Sequence, residues 1–204
     1  MRDRLTAFIV TPAPPGTTHG NRITALRWTR RLRELGWHVA VGTAWHGEPC
    51  DVLIALHAHK SGGSLARHAH DHPAAPRVLA FTGTDLEDLD DARAREAIAC
   101  ADRFVVLQPR ALDLLPPALR ARTVVIRQTA VAPPAAPRGA GFLVCAIAHL
   151  REVKDPLLAA HAAALVPAPT ALRIVHLGGA PDDGWAARAR RRARLARPLA
   201  VVRR

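Results

Sequence analysis

Short apolar runs alternate with longer amphipathic stretches along most of the chain. The apolar runs predict strands at residues 7–10, 38–43, 52–56, 77–81, 104–107 and 123–126. Stretches of helical period between them predict helices at about 20–35 and 92–101, and a short one from Pro109. Another helix is predicted to start within 61–64 and to end at residue 70. This regular alternation indicates an α/β fold with a doubly wound parallel sheet that helices cover on both faces.

The first predicted helix has an apolar stripe. Ala25, Trp28, Leu32 and Leu35 are spaced three, four and three positions apart, so they can share one buried side. The arginines of this helix lie off the stripe, most of them on the solvated side. The order of strand, glycine-containing loop and helix at 7–35 is typical of a Rossmann-like domain, in which ligands bind where the loop meets the helix.

Residues 128–141 (QTAVAPPAAPRGAG) have no period and are rich in Pro, Ala and Gly, which predicts a linker. After it the pattern begins again, with strands predicted at 142–147 and 172–177 and helices at 155–165 and 183–196. Two strands and two helices do not complete a second doubly wound sheet. The sequence therefore predicts a Rossmann-like domain at 1–127 and an incomplete second Rossmann-like lobe at 142–204.

The formal net charge of +12 is of the kind found in proteins that bind polyanions. The excess comes almost entirely from dispersed arginines, and four Trp, four Phe and no Tyr offer few platforms for stacking bases. The arginine-rich stretch at 188–197 is interpreted as a solvated helix. We therefore expect no nucleic-acid partner, and instead either a solvated basic face or attraction to phosphorylated small molecules.

No apolar run approaches the roughly 20 residues needed to cross a bilayer, and the N-terminal residues lack the features of a signal peptide. Cys50, Cys100 and Cys145 lie far apart and outside any CxxC or CxxH pair. This spacing indicates reduced thiols rather than disulfides or a metal site. We expect a cytoplasmic protein with no membrane partner.

The first candidate site is the loop at 16–22, which leads into the first helix. Backbone N–H groups at a helix N-terminus, threonine hydroxyls and a guanidinium can together hold an anion. The candidate residues are Gly16, Thr17, Thr18, Gly20, Asn21 and Arg22. The same residues also fit a plain strand-to-helix turn capped by Asn21, and a lone glycine loop does not decide between the two.

The second candidate site combines HAHKSG at 57–62 with TGTDL at 82–86. Both segments follow predicted parallel strands, so both lie at the carboxyl edge of the sheet. We expect His57, Lys60 and Thr82 to bind an anionic ligand, and we place the catalytic role on His57 and on Asp85, which would orient a histidine or a sugar hydroxyl. Alternatively, Asp85 only caps the next helix and Lys60 is a solvated surface charge.

His68, His70 and His72 lie near the end of the predicted second helix. A spacing of two positions does not place three imidazoles on one helical face, which argues against a metal site. We expect a solvated, charged helix end there, and no bound metal.

Several segments resemble, in the same order and at consistent spacing, bacterial glycosyltransferases of the two-Rossmann-domain (GT-B) class, and among them the selenosugar synthases of selenoneine biosynthesis. The segments are GTTHGNRITALRW, LIALHAHKSG, FTGTDL, VVLQP, AHLREVKDP and HLGGAPDDGW. The resemblance extends to about Trp185. Members of this family are longer, so the resemblance implies that the chain ends inside its second lobe.

The resemblance implies transfer of N-acetylglucosamine from UDP-N-acetylglucosamine to the selenium of selenophosphate, and then loss of phosphate to leave a 1-seleno-sugar. It implies small-molecule substrates and no cofactor. Such a soft nucleophile needs little help from a base, so binding, orientation and stabilisation of the departing UDP carry the reaction. A glycosyltransferase with another acceptor and an inactive, anion-binding remnant stay open as alternatives, and the sequence indicates no oligomeric state.

The same resemblance places the donor diphosphate at the loops that follow the two strands of the second lobe. In related enzymes a basic residue after the first strand, and a Lys five positions later, make this contact. His149 stands at the first position, where Arg is common. The resemblance assigns donor binding to His149, Arg151, Lys154, Gly178 and Gly179. Alternatively, the first loop only caps a helix through Asp155.

Overall fold

A computed structural model describes residues 4–130, 141–167, 170–195 and 199–202 of the chain. The chain divides into two compact units, Met1–Val131 and Ala132–Arg204, and each is described by itself. Most of the predicted linker, residues 131–140, lies outside the described residues.

The first unit is built on a six-stranded sheet in which all pairs are parallel. Its strands are β1 (Thr6–Val10), β2 (His38–Gly42), β3 (Val52–Leu56), β4 (Arg77–Phe81), β5 (Arg103–Val106) and β6 (Thr123–Val125). They lie in the order β2-β1-β3-β4-β5-β6. The helices are α1 (Gly20–Glu34), α2 (Ala58–Asp71), α3 (Ala92–Cys100) and α4 (Pro117–Arg120), with 3-10 turns at Thr84–Leu86 and Pro109–Leu114.

Side chains of the central strands alternate between two apolar layers. Phe8 and Val10 of β1 belong to a core that includes residues of α2 and α3, whereas Ala7 and Ile9 belong to a core with α1. Helices therefore cover both faces of the sheet, as the alternating pattern predicted. The unit is a doubly wound, Rossmann-like α/β domain, which confirms the predicted fold class.

All six predicted strands of this unit are confirmed to within one residue at either end. Helix α2 begins earlier than predicted, at Ala58. The reason is a distant side chain, because the carboxylate of Asp85 accepts the first N–H of the helix at 3.0 Å. A cap supplied from a loop 27 residues away cannot be inferred from the local pattern.

The buried face of α1 differs from the predicted stripe. Ala25 is buried as predicted, but Leu35 is 75% exposed because the helix ends at the residue before it. Thr24 and Thr29 are buried instead. Their hydroxyls donate to the backbone carbonyls four residues earlier, at 3.0 and 2.8 Å, which satisfies the hydroxyl groups inside the protein.

His68 contradicts the predicted solvated helix end. Its side chain is fully buried, its ring lies edge-on to Trp45 with centroids 4.9 Å apart, and its Nε2 atom lies 3.6 Å from the Cys50 Sγ atom. Helical geometry turns His70 away from this face, so the two histidines differ in environment. Burial lowers the pKa of the His68 imidazole, and the charge of His72 lowers it further.

The stability of the first unit is therefore expected to fall on acidification. The buried His68 ring takes up a proton less readily in the folded chain than in the unfolded chain, where its pKa is about 6.5. The stability that the neutral ring contributes is present above about pH 6.5 and is lost as the pH falls through the folded-state pKa. Urea titrations from about pH 7.5 to pH 5 measure this decline.

The decline should be smaller in His68→Phe, which keeps an aromatic ring but does not titrate. His70→Phe is the matched control, because His70 lies exposed on the same helix. Equal declines in His68→Phe and in the unsubstituted chain would contradict the prediction.

In its described residues the second unit has a three-stranded parallel sheet and two helices. Its strands are β7 (Phe142–Ile147), β8 (Leu172–Leu177) and β9 (Leu199–Val202), in the order β7-β8-β9, and its helices are α5 (Leu158–Ala163) and α6 (Asp183–Leu195). The first two strands confirm the prediction. Strand β9 was not predicted, because its few apolar residues follow an arginine-rich stretch, yet it pairs in parallel with β8. The unit is thus a second Rossmann-like arrangement of alternating strands and helices.

The arginine-rich helix α6 is solvated on its outer side, as interpreted from the sequence. Ala186 and Ala189 are buried, whereas Arg188 and Arg190 are exposed. The Arg188 guanidinium lies over the ring of Trp185, 4.3 Å from its centroid. A small-residue inner face and a charged outer face are typical of a surface helix.

Candidate functional site

The first unit has a topological switch point between β1 and β3. From β1 the chain first adds β2 on one side, and then crosses back to add β3 to β6 on the other side. β1 pairs with β2 on one side and with β3 on the other. In open parallel sheets, ligands bind at such a point, in the crevice outside the carboxyl ends of the strands. The glycine-containing loop follows β1 and His57 follows β3, so two of the predicted sites lie at neighbouring strand ends.

The loop after β1 leaves the N-terminus of α1 accessible. Helix α1 begins at Gly20 with no acidic side chain in its first turn, and Thr18 before it is exposed. Thr17 uses its hydroxyl inside the loop, where it donates to the Pro14 carbonyl at 2.8 Å. Asn21 lies within the helix and not at its N-cap position, so the alternative of an Asn-capped turn is wrong.

Arg22 brings positive charge to the same end of α1. Its Nη1 atom is buried and has no hydrogen-bond partner among the described residues. Such an N–H group is costly unless an acceptor satisfies it, and an anion at this edge of the sheet would do so. Gly16 turns the loop with a φ of 79°, a conformation that glycine adopts without strain.

His57 is the N-cap residue of α2 and has an unusual backbone conformation. Its φ of 77° and ψ of 107° lie in a region that residues with a side chain seldom occupy, at a cost of about 1–3 kcal/mol. Its N–H donates to the Ala80 carbonyl in β4 at 2.9 Å, and its carbonyl accepts from Ser61 at 3.0 Å. These bonds hold a side chain that is only 6% exposed at the carboxyl end of β3.

Asp85 joins two loops of the site through backbone hydrogen bonds. Its fully buried carboxylate accepts from the N–H groups of Ala58, Thr82 and Gly83 at 3.0, 2.9 and 2.8 Å. These donors and the N-terminus of α2 compensate the buried negative charge. Asp85 therefore caps α2 from a distant loop and does not cap the next helix α3, whose cap is Asp91.

The two predicted catalytic residues are neighbours but do not form a hydrogen bond. The His57 Nδ1 atom lies 4.0 Å from the Asp85 Oδ2 atom, and the His57 Nε2 atom lies 3.5 Å from the Thr84 hydroxyl. Hydrogen bonds are about 3.2 Å or shorter. The Nδ1 atom of His57 and the hydroxyl of Thr82 are both buried and have no partner in the described part of the chain. These two polar atoms are suited to contact a ligand.

Burial lowers the pKa of the His57 imidazole; the Asp85 carboxylate opposes this effect, and the charges of Lys60 and His59 add to it. At neutral pH the ring is therefore uncharged and can both donate and accept a hydrogen bond. Lys60 itself is exposed on α2. Its exposure agrees with either predicted role, that of an anion ligand or that of a solvated charge.

Thr84 and His59 both lie against His57 and were not predicted from the sequence as site residues. The ring of His59 is 5.6 Å from that of His57, and its Nε2 atom lies 2.9 Å from the Asp88 carbonyl oxygen. Each of the two is adjacent to a predicted residue, Thr84 to Asp85 in TGTDL and His59 to Lys60 in HAHKSG. That proximity was the only signal available in the sequence.

In the second unit, the loops after β7 and β8 are bonded to each other. The His149 Nδ1 atom accepts from the Gly179 N–H at 3.2 Å, and the Leu150 N–H donates to the Gly179 carbonyl at 2.9 Å. The His176 Nε2 atom lies 2.8 Å from the carbonyl oxygen of Ala148. The structure thus brings His149 together with the predicted glycine pair.

Arg151 and Lys154 are exposed at the two ends of the loop that follows His149. Between this loop and α5, Asp155 has a left-handed φ of 39°. Helix α5 begins only at Leu158 and has no side-chain cap, so the alternative in which Asp155 caps it is wrong. Asp tolerates the left-handed conformation, which interrupts the helical path that the sequence pattern predicted from residue 155.

Gly178 packs directly against the backbone of the loop after β7. A Cβ atom at this position would overlap the carbonyl oxygen of Ala148, which also meets the His176 ring. We expect Gly178→Ala to lower the free energy of unfolding of the second unit by about 3 kcal/mol, measured by urea denaturation. At Gly184 an added carbon meets only the end of the Asp182 side chain, so Gly184→Ala is the control. Small and equal effects would contradict the close packing.

Over the described residues, no group of three or more His, Cys, Asp or Glu side chains is placed to hold a metal ion. No helix in the described part of the chain has both the length and the apolar character needed to cross a bilayer.

No family model and no curated protein matches the chain, but solved structures do. Anabaena Alr3699/HepE in complex with UDP and glucose matches with a TM-score of 0.63 at 12% identity, over 98% of this chain and 69% of its own. Its complex with UDP-glucose gives 0.59 at 14% identity, over 97% and 68%. An S. aureus TarM mutant in complex with Fondaparinux, alpha-GlcNAc-glycerol and UDP gives 0.50 at 18% identity, over 74% and 32%.

At these identities the likeness establishes the fold and not the activity. The match to Alr3699/HepE covers nearly all of the chain, including both Rossmann-like units. The chain therefore shares the α/β fold of the Alr3699/HepE structure, with a six-stranded, doubly wound parallel sheet in its first unit.

Proposed function

We propose that this chain is a glycosyltransferase that uses a UDP-sugar. The observation that carries the proposal is His57, a buried imidazole with an unpartnered Nδ1 atom at the carboxyl end of β3, in this fold. Alr3699/HepE, which has the same fold, has been crystallised with UDP, with UDP-glucose, and with UDP and glucose. The sugar hydroxyls of such a ligand can bond to the neutral His57 and Thr82 side chains, and its phosphates can be bound by the neighbouring positive charges.

Within this class we infer transfer of N-acetylglucosamine from UDP-N-acetylglucosamine to selenophosphate. The support is the resemblance of the sequence segments to selenosugar synthases. A selenium lone pair forms the bond to C1 of the sugar while the bond from C1 to the diphosphate oxygen breaks, and UDP leaves with that electron pair. Water then cleaves the selenium–phosphorus bond and releases phosphate and the 1-seleno-sugar.

The residues of the first unit would hold the acceptor. The unpartnered N–H of Arg22, the N-terminus of α1 and the exposed Lys60 offer positive charge to its phosphoryl oxygens. The Thr82 hydroxyl and the neutral His57 ring add hydrogen bonds without further charge. Since selenophosphate is already anionic, orientation by these groups is sufficient and no base is required.

The loops of the second unit would hold the donor diphosphate. The exposed Arg151 and Lys154 supply positive charge there. The resemblance also places Gly178 and Gly179 at the donor; Gly178 lets the loop after β8 pack against the Ala148 carbonyl, and His149 fixes this loop through its bond to Gly179. These donor-side roles rest on the sequence resemblance.

A second candidate is transfer to an alcohol or a thiol. The observation that favours it is the lowered pKa of His57, which leaves the ring unprotonated at neutral pH. An alcohol or thiol must lose a proton as it attacks, and a neutral imidazole can take that proton. Selenophosphate makes no such demand.

Mass spectrometry of the products tests these proposals. The 204-residue chain is supplied with UDP-N-acetylglucosamine under reducing conditions and with selenophosphate, an alcohol, a thiol or phosphate alone. Equal amounts of UDP and 1-seleno-sugar, seen only with selenophosphate, would support the first proposal. UDP released with the alcohol or the thiol would support the second. Absence of UDP with every acceptor, in a chain that still binds phosphate, would reject transfer and leave the anion-binding remnant.

A further inference from the structure

The backbone of His57 is held from both sides. The peptide group before it donates its N–H to the Ala80 carbonyl at 2.9 Å, and the peptide group after it donates the Ala58 N–H to Asp85 at 3.0 Å. Rotation about either backbone bond of His57 would break one of these hydrogen bonds. The surroundings therefore impose the φ of 77°, since histidine by itself does not favour it.

Of these two anchors, only Asp85 is a side chain. Its carboxylate also accepts from Thr82 and Gly83, so it ties the start of α2 to the loop after β4, and its oxygens are already occupied by these backbone N–H groups. We infer that Asp85 is a positioning residue, which fixes His57 through the Ala58 peptide group and thereby orients the imidazole at the carboxyl edge of the sheet.

The same carboxylate acts on the imidazole through its charge. The charged or titratable groups around His57 are Asp85, from the loop after β4, and Lys60 and His59, from α2. Of these, Asp85 alone raises the pKa of His57, against the effect of burial, while the two basic groups lower it. Removal of the Asp85 charge should therefore shift the titration of His57 to lower pH.

A stability comparison on the substrate-free chain tests the backbone anchor. His57→Gly and His57→Ala both delete the imidazole, but only glycine is unstrained at a φ of 77°. We expect the unfolding constant of the glycine variant to be about ten-fold smaller than that of the alanine variant. When Asp85→Asn is added to both variants, the logarithm of the ratio of their unfolding constants should fall by at least half. The reason is that a weaker anchor lets the backbone of residue 57 leave the strained conformation.

The exposed Asp113 provides the matched control, so Asp113→Asn should leave the ratio unchanged. If Asp85→Asn does not fold, the comparison is made in Asp85→Ser, which also removes the charge and shortens the side chain. A glycine-to-alanine ratio that survives the substitution of Asp85 would overturn the inference.

An NMR titration supplies a readout that a merely structural role would not move. The imidazole signal of His57 is assigned by its absence from His57→Gly, and its midpoint should lie at lower pH in Asp85→Asn than in Asp113→Asn. An unchanged midpoint in folded Asp85→Asn would also overturn the inference. That the oriented imidazole serves catalysis rests on the proposed function. The stability and NMR measurements use no substrate, so their results hold even if the transfer assay shows no activity.

Discussion

Arg77→Leu is expected to lower the free energy of unfolding of the first unit by about 3 kcal/mol, through the loss of buried hydrogen bonds from a charged group. The Arg77 guanidinium lies buried at the start of β4 and donates to the carbonyls of His72, Ala75 and Cys100 at 3.1, 2.8 and 2.7 Å. It also lies 3.5 Å from the Asp102 carboxylate. One side chain thus ties the ends of α2 and α3 to the sheet, and leucine would leave these acceptors without their donor.

Urea denaturation followed by far-UV circular dichroism measures the loss. Arg77→Lys should lose an intermediate amount, because a single ammonium group cannot reproduce the fork of a guanidinium. Arg95→Leu, at an exposed position of α3, is the control and should change stability by less than about 0.5 kcal/mol. Similar losses at Arg77 and Arg95 would show that the buried hydrogen bonds do not stabilise the unit.

His57→Gly is expected to lower kcat/KM for UDP release by about 100-fold. A hydrogen bond to a charged ligand group contributes about 1.5–3 kcal/mol, and each 1.4 kcal/mol corresponds to a factor of ten. Glycine suits the φ of 77°, so the variant should fold and the loss should report the missing imidazole. Initial rates of UDP formation with the acceptor found by product analysis measure the effect.

His70→Ala is the control for this experiment, because His70 is exposed on the same helix and outside the site. The pH dependence distinguishes the acceptors. If His57 acts as a base toward an alcohol or thiol, kcat/KM should decrease as the pH falls through its lowered pKa, and His57→Gly should abolish this decrease. Full activity of His57→Gly would place the chemistry elsewhere in the chain.

The sequence pattern predicted the sheet because its central strands β1, β3, β4 and β5 are short, mostly apolar runs, as expected for parallel strands buried on both faces. It also predicted that the segments at 57–62 and 82–86 lie at one edge, since the carboxyl ends of parallel strands must point the same way. The pattern did not predict β9, whose four residues are too few to stand out beside the arginine-rich α6.

Environments within α2 could not be predicted in the same way. His68 and His70 are the same residue type two positions apart, yet only His68 is buried, where it meets Trp45 and Cys50 from the segment between β2 and β3. Which segment packs over a given face of α2, and so buries His68, depends on the tertiary packing of the whole unit. A hydropathy pattern therefore assigned both rings to solvent.

The sequence by itself determined the α/β class, the strand positions of the first unit and the residues at their ends, because these follow from local apolar runs and from the polarity of a parallel sheet. Only the tertiary structure decided what His57 and Asp85 do there. The φ of 77° at His57 and the cap that Asp85 places on α2 are imposed by hydrogen bonds between separate segments. Such bonds form when the strands have been brought side by side, and local sequence carries no record of them.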